Sequence, residues 1–321
     1  MSTGLRIGVL GSAEIARRRL LPAFAADPAA EVAAVASRDA GRAAELAERF
    51  GARAVTGYQT LLELPEVDAV YLPLPAALHA EWTERALLAG KHVLAEKPLG
   101  GDRASTRRLL QLARERGLVL MENVMFVHHP QHAEVLRLVA RGAIGVPRAF
   151  SAAFAIPRLP AGDIRYDAQL GGGALADVGV YPVRAAMHLL GGPLTVVGAA
   201  LDRTSDHDVD INGAALLRSP EGVLAQLTFG LDHAYRSRYE LWGSEGSIRL
   251  DRAFTPPADH RPVLQLERGG TVEQRVLDAE DQVARTVRAF VSACRAGGTG
   301  TGAAACLEQA RLLDEIRRAA Q

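Results

Sequence analysis

The chain holds only two cysteines, Cys294 and Cys306, among its 321 residues. That is too few to staple a small secreted scaffold, and they lack the CxxC spacing of a metal or redox pair. Two buried, reduced thiols are expected, with a single disulfide as the alternative. An excess of one charge is also missing: 37 Lys plus Arg face 37 Asp plus Glu. A chain without a one-signed field does not hold nucleic acid by bulk electrostatics, so no nucleic-acid partner is expected. No apolar run reaches the ~18 residues that span a bilayer, so no membrane partner is expected either. Met1-Ser2-Thr3-Gly4 leads straight into a strand-like segment and leaves no room for a secretory leader. Arg17-Arg18-Arg19 sits inside an expected helix and is not a twin-arginine signal. The chain reads as cytoplasmic.

What is present is ordinary globular material, 48% hydrophobic and 23% charged, in a chain long enough for two domains. Up to residue 122, short apolar runs alternate with helical patterns: Arg6–Leu10, Glu31–Ala36, Ala69–Leu72, His92–Ala95, Val119–Glu122, and a weaker run at Arg53–Val55. Helices are expected near Glu14–Ala26, Gly41–Phe50, Leu78–Ala89 and Arg103–Arg116. That alternation is the grammar of a parallel sheet with crossover helices. After Glu122, helices are expected at Pro130–Arg141 and Gly173–Leu190. From Leu194 to Leu277 strands then follow one another: Val196–Leu201, Asp210–Leu217, Val223–Phe229, Arg238–Trp242, Ser247–Leu250 and Val263–Leu266. Strands without intervening helices pair antiparallel. Helices near Glu280–Ala296 and Gly302–Ala320 close the chain. The expected fold is α/β: a Rossmann domain at 1–122, then an α+β domain at 123–321 for substrate binding and oligomerisation.

Between the first strand and the first helix stands Gly11-Ser12-Ala13-Glu14-Ile15-Ala16-Arg17. A pyrophosphate held at a helix N-terminus needs backbone N–H groups to come close, which excludes bulky side chains. Ala13 and Ala16 replace the second and third glycines of GxGxxG, and both are small. A glycine pattern this degenerate is weak alone; its place after the first strand of a βαβ series makes it a dinucleotide loop. The second strand ends in Ser37-Arg38, where an NAD enzyme usually carries an acid for the ribose. A hydroxyl and a guanidinium suit a 2′-phosphate, so NADPH/NADP+ is the expected cofactor. Asp39 reads as the N-cap of the next helix.

Leu72-Pro73-Leu74-Pro75, His79 and Ala89-Gly90-Lys91-His92-Val93-Leu94-Ala95-Glu96-Lys97-Pro98-Leu99 resemble the glucose–fructose oxidoreductase/inositol dehydrogenase (Gfo/Idh/MocA) family. Val67–Val70, Gly171–Tyr181 and Trp242–Ile248 extend the resemblance over essentially the whole chain. The resemblance implies a C-terminal domain with a large, mostly antiparallel open sheet, which in the family often joins subunits into homodimers or homotetramers. It implies that Lys97 reaches the reacting oxygen, with a cis bond at Pro98. Many relatives carry Asp-x-x-x-His on the helix after the triple glycine; here stand Asp177 and Tyr181. That departure argues against an inositol dehydrogenase and is similar to sugar 3-ketoreductases. Lys97 and Tyr181 are thereby the expected catalytic pair, both also touching substrate.

Carried over with them are Tyr58, Leu74, His79 and Glu96 on the cofactor, and Arg165 and Asp177 where the second domain closes. Tyr235 and Thr255 are candidates for substrate contacts. His128, His129 and His132 lack a carboxylate or cysteine frame, and no metal is expected. Met121–Phe126 and the string from Gly171 through Gly191 look most like NADPH-dependent sugar-nucleotide 3-ketoreductases. The implied substrate is a nucleotide-linked ketosugar, dTDP-3,4-diketo-2,6-dideoxyhexose, reduced at C3 to the 4-keto product for antibiotic deoxysugars. A xylose or dihydrodiol dehydrogenase is the enzyme alternative, and a non-catalytic NADPH-binding regulator the non-enzyme one.

Overall fold

A computed structural model describes residues 4–203, 206–298 and 302–321. The backbone divides into two compact units, one of Met1–Asn123 with Val283–Leu307, the other of Val124–Gln282 with Glu308–Gln321. Residues 283–307, expected with the second domain, therefore belong to the first unit. Cys306 of this stretch is buried in the same cluster as Leu10, Leu72, Leu87 and Leu109. Both cysteines are buried free thiols, as expected. No described helix is long and apolar enough to cross a membrane.

The first unit carries strands β1 (Leu5–Leu10), β2 (Ala30–Ser37), β3 (Arg53–Thr56), β4 (Ala69–Leu72), β5 (His92–Ala95) and β6 (Leu120–Glu122). Helices α1 (Leu21–Ala26), α2 (Ala40–Arg49), α3 (Tyr58–Leu62), α4 (His79–Leu88) and α5 (Arg103–Glu115) alternate with them. All strand pairs are parallel, in the order β3-β2-β1-β4-β5-β6. A central parallel strand is covered on both faces, which is why β4 reads as an unbroken apolar run and is buried throughout. Strand order reverses between β1 and β4, so a crevice opens beyond their carboxyl ends, where open α/β sheets bind ligands.

The second unit opens with α6 (Pro130–Ala140), β7 (Pro147–Ala155) and α7 (Val180–Leu190). Strands β8 (Thr195–Arg203), β9 (Asp210–Arg218), β10 (Leu224–Gly230), β11 (Arg236–Gly243), β12 (Gly246–Asp251), β13 (Val263–Arg268) and β14 (Thr271–Val276) follow. Two more helices, α8 (Gln282–Arg295) and α9 (Ala303–Ala319), end the chain. The sheet order is β14-β13-β12-β11-β7-β10-β9-β8, antiparallel throughout the described residues except where β7 runs parallel to β10. Strand β7, absent from the sequence reading, is thus an inner strand. One sheet face buries Phe150, Phe154, Phe229, Tyr239 and Leu241, while on the other Trp242 stays 65% exposed.

Candidate functional site

In the first unit the cradle starts where β1 ends. Gly11 has φ +126, and a Cβ there would lie 3.1 Å from Leu74 Cδ2 and 3.4 Å from the Pro73 carbonyl. The positive φ calls for glycine, and the Leu74 contact would be tight for any side chain. Ala16 is fully buried where the helix meets the sheet, so a small residue there serves the role of the third glycine. The helix continues through a π-helical turn, Ala16–Leu20, into α1, and the N–H groups of its first turn have no partner within the helix. Glu14 would oppose an anion at this mouth. Its carboxylate is held below the usual range chiefly by a hydrogen bond from Arg17, against the opposing effect of burial. The Arg17 guanidinium, expected on the cofactor, is 2.6 Å from Glu14 and 3.8 Å from Glu45.

At the end of β2, Ser37 is buried and its Oγ accepts from the Asp39 N–H at 3.2 Å. Asp39 Oδ1 accepts from the Arg42 N–H at 2.9 Å, which makes it the N-cap of α2. Its carboxylate is turned to the helix. Arg38 is exposed and makes no ion pair among the described residues. A hydroxyl with an unpaired guanidinium fits the 2′-phosphate of NADP(H). Leu74 packs across the Gly11 turn, whereas the Tyr58 ring is buried edge-on against Trp82 at 5.1 Å.

The loop carrying Lys97 is tied down on both sides. Glu96 Oε1 accepts from the Tyr71 hydroxyl at 2.7 Å and from Asn123 Nδ2 at 2.6 Å. The Lys97–Pro98 peptide is cis. Beyond it, the Leu99 N–H donates to Glu122 Oε1 at 2.9 Å. His79, only 1% exposed, sets Nδ1 at 2.8 Å from the Pro98 carbonyl and Nε2 at 2.7 Å from the Leu74 carbonyl. Both ring nitrogens lie against backbone carbonyls, so the ring braces two loops. Tyr71, Glu122 and Asn123 were not among the sequence candidates. Their signal was polar atoms on or just beyond core strands, which must find partners when buried.

The second unit explains its triple glycine. A Cβ on Gly172 would sit 2.4 Å from the Arg165 carbonyl, and one on Gly173 would sit 2.5 Å from Asp210 Oδ1. Asp210 Oδ2 accepts the Leu175 N–H at 2.6 Å, so this carboxylate from β9 pins the start of the helix that carries Tyr181. Burial pushes the Asp210 carboxyl above its ordinary value, against the Leu175 hydrogen bond that lowers it. No sequence spacing linked Asp210 to that helix.

A π-helical turn, Leu175–Gly179, leads into α7; such turns recur at functional sites. Asp177 Oδ2 receives Arg165 Nε at 2.7 Å, and Arg165 Nη1 lies 3.0 Å from Asp163 Oδ1. Arg165 and Asp177 are therefore paired with one another. Tyr181, 9% exposed, sets its ring edge-on to Phe154 at 4.8 Å, with Phe254 at 5.9 Å and Phe126 at 6.1 Å. Tyr235 is 45% exposed and its hydroxyl is 3.3 Å from Thr255 Oγ1.

The histidines form a polar knot. His132 Nδ1 is 2.9 Å from the Tyr239 hydroxyl and its Nε2 is 3.2 Å from Gln131 Nε2. His129 Nδ1 accepts the Gln131 N–H at 3.2 Å as the N-cap of α6. Among the described residues no group of three or more His, Cys, Asp or Glu is placed to hold a metal.

Comparison with known proteins agrees with this architecture. Residues 5–124 match a model described as oxidoreductase family, NAD-binding Rossmann fold, and residues 132–249 match the GFO/IDH/MocA C-terminal domain. The chain is 57% identical to dTDP-3,4-didehydro-2,6-dideoxy-alpha-D-glucose 3-reductase of Streptomyces violaceoruber, over 98% of this chain and 95% of that one. A crystal structure of KijD10, a 3-ketoreductase from Actinomadura kijaniata, in complex with NADP and TDP-benzene, superposes with a TM-score of 0.97 at 54% identity. It covers 98% of each chain. A tyrosine-to-phenylalanine variant of KijD10 gives 0.96 at 53% identity, and a lysine-to-alanine variant 0.93 at 51%. Both variants hold TDP-benzene and NADP, and each comparison again covers 98% of both chains. The chain belongs to the GFO/IDH/MocA oxidoreductase family.

Proposed function

We propose that this chain is an NADPH-dependent ketoreductase acting at C3 of a dTDP-3,4-diketo-2,6-dideoxyhexose, yielding the dTDP-4-keto-2,6-dideoxyhexose of deoxysugar biosynthesis. One observation carries the reading furthest. The lysine and tyrosine replaced in the KijD10 variants are separated by the same number of residues as Lys97 and Tyr181.

When bound, NADPH supplies the hydride that C3 receives. This chain's residues do the rest. The Gly11–Ala16 turn takes the pyrophosphate, and Ser37 with Arg38 takes the 2′-phosphate. Lys97, on its braced loop, polarises the ketone oxygen. Tyr181 gives its phenolic proton to the developing alkoxide and is reprotonated from water. A phenol with an ordinary pKa of about 10 is a reluctant acid near neutrality. The reading gives the Lys97 cation the further part of favouring the phenolate, which eases the proton's departure.

We infer assembly as a homodimer or homotetramer through the outer face of the second unit's sheet, where Trp242 is 65% exposed. A cavity of about 590 Å³ opens there among Ser151, Gln226, Glu240, Trp242, Ser247 and Glu267. We place the enzyme in the cytoplasm. The test follows NADPH absorbance in two assays, its loss with the dTDP-diketosugar and its appearance from NADP+ with free xylose. Consumption with the nucleotide sugar alone supports the proposal. Turnover of xylose returns the dehydrogenase, and tight NADPH binding without oxidation of any ketosugar returns the regulator. Tyr181→Phe should lower kcat on the order of 10²-fold; near-normal turnover removes Tyr181 from the mechanism.

A further inference from the structure

Arg252 is the one non-glycine among the described residues with a positive φ, +49. A side chain in that region is disfavoured, and such strain persists where the surroundings over-determine the backbone, commonly next to a ligand. The surroundings here do so. The Ala253 N–H donates to the Ser237 carbonyl at 3.1 Å, and the Phe254 N–H to Ser237 Oγ at 3.0 Å. The Ala253 carbonyl accepts Gln131 Nε2 at 3.0 Å, and the Phe254 carbonyl accepts Gln282 Nε2 at 3.1 Å. Four backbone groups in two residues are tied to three different segments. Phe254 is fully buried with its ring 5.9 Å from that of Tyr181, so this fixed turn borders the residue assigned to chemistry.

What the turn presents is an exposed guanidinium. Arg252 makes no ion pair among the described residues. The nearest carboxylate in sequence, Asp251, is 3.4 Å from Arg249. The Arg252 guanidinium carbon lies 5.9 Å from the centre of the Tyr235 ring, at the outer limit of a cation–π contact. The Tyr235 hydroxyl is in turn 3.3 Å from Thr255 Oγ1. Thr255, Tyr235 and Arg252 thus form a brace that holds a forked cation over one ring face. Arg252 lies two residues before Phe254, whose ring is 5.9 Å from that of Tyr181.

We propose that Arg252 binds the diphosphate of the nucleotide sugar, with Tyr235 and Thr255 positioning its guanidinium and not themselves reading the sugar. A forked guanidinium matches paired phosphate oxygens, and its attraction is shared by ground and transition states. This rests on the nucleotide-sugar reading given above. The test titrates TDP into the enzyme saturated with NADP+, by calorimetry. R252Q should weaken TDP at least tenfold and flatten the salt dependence of binding. R252K, a point charge without the fork, should fall between, and Y235F should weaken TDP less than R252Q.

Affinity for NADP+ stays unchanged in all of them. R252G suits the backbone and controls for folding: it should melt no lower than wild type and show the full loss of TDP. In turnover, KM for the ketosugar rises while kcat at saturation holds within about twofold, the pattern of lost uniform binding. If R252Q binds TDP as tightly as wild type, or lowers kcat at unchanged KM, this assignment is wrong and the ketoreductase reading stands. If the wild type itself neither binds TDP nor oxidises NADPH with the dTDP-sugar, both fall.

Discussion

Removing the Asp210 carboxylate should loosen the start of the Tyr181 helix, and the structure sets the size of the effect. In Asp210→Ala the Leu175 N–H, on a residue only 1% exposed, loses its 2.6 Å acceptor. A buried donor left without a partner costs about 1–3 kcal/mol. For a unit of this size that is a fall in Tm of about 2–12 °C. Asp210→Asn behaves differently because its amide oxygen still accepts from Leu175. It exchanges a charge-assisted hydrogen bond for a neutral one, at about 1 kcal/mol, and is relieved of the burial that disfavours the carboxylate. Near pH 7 the burial outweighs the hydrogen bond, so Asp210→Asn should be at least as stable as wild type. The pH dependence carries a definite sign. Burial raises the folded-state pKa of Asp210, so the stability this group contributes is present below its unfolded value near 4 and is lost as pH rises through the folded value. Wild type should therefore lose ground to Asp210→Asn as pH is raised from about 4. Urea and thermal unfolding of all three proteins across that range measure it, with kcat as a parallel readout of Tyr181 placement. Asp210→Ala within about 0.5 kcal/mol of wild type, the range of an ordinary surface change, would refute the capping argument. A gap between wild type and Asp210→Asn that ignores pH would refute the burial argument.

The first unit was legible because its signals are local. β4 is a continuous apolar run, Gly11 follows a strand and precedes a helix, and Asp39 stands where a cap belongs. Each can be read within a window of a few residues, and the structure repeats them. The second unit hid its inner strand: β7 is alanine-rich and has a weak β signature. Only Phe150 and Phe154, alternating around Ala152, marked its buried face. Strand β14 hid for the opposite reason. It is an edge strand, exposed at nearly every position, so no burial alternates along it. The site divided in the same way. Lys97 and Tyr181 stood out through the motifs around them, but what fixes their loops comes from far along the chain. Glu122 and Asn123 reach back to Leu99 and Glu96, and Asp210 reaches the turn at Gly173 from β9. His79 was expected on the cofactor, and its two ring nitrogens lie against the carbonyls of Leu74 and Pro98. A single sequence names candidate site residues more readily than those that hold them still.

Two further outcomes follow from charge. Arg38→Ala removes the one guanidinium beside Ser37 available to a 2′-phosphate. Losing a charge-assisted contact of about 1.5–3 kcal/mol should raise KM for NADPH roughly 10–100-fold and leave KM for NADH unchanged; an unaltered preference between the two, from steady-state kinetics, rejects that role. The buried histidine knot should make the second unit acid-sensitive. His132 is held well below its ordinary value by burial first, then by His188 and His129. Its neutral form fits one arrangement, with Nε2 accepting from Gln131 and Nδ1–H donating to the Tyr239 hydroxyl. A second ring proton would aim an N–H at the Gln131 N–H, and no carboxylate contributes to its titration to compensate it. A depressed folded-state pKa means that the stability from this group is complete above the ordinary value near 6.5 and is lost as pH falls toward the folded value. Wild-type Tm should therefore drop between pH 7 and pH 5. In His132→Gln, whatever its starting Tm, that slope should flatten, because the amide does not take up a proton. Equal slopes in the two proteins would mean that other groups drive the acid transition, and that His132 is protonated in the folded state at no cost.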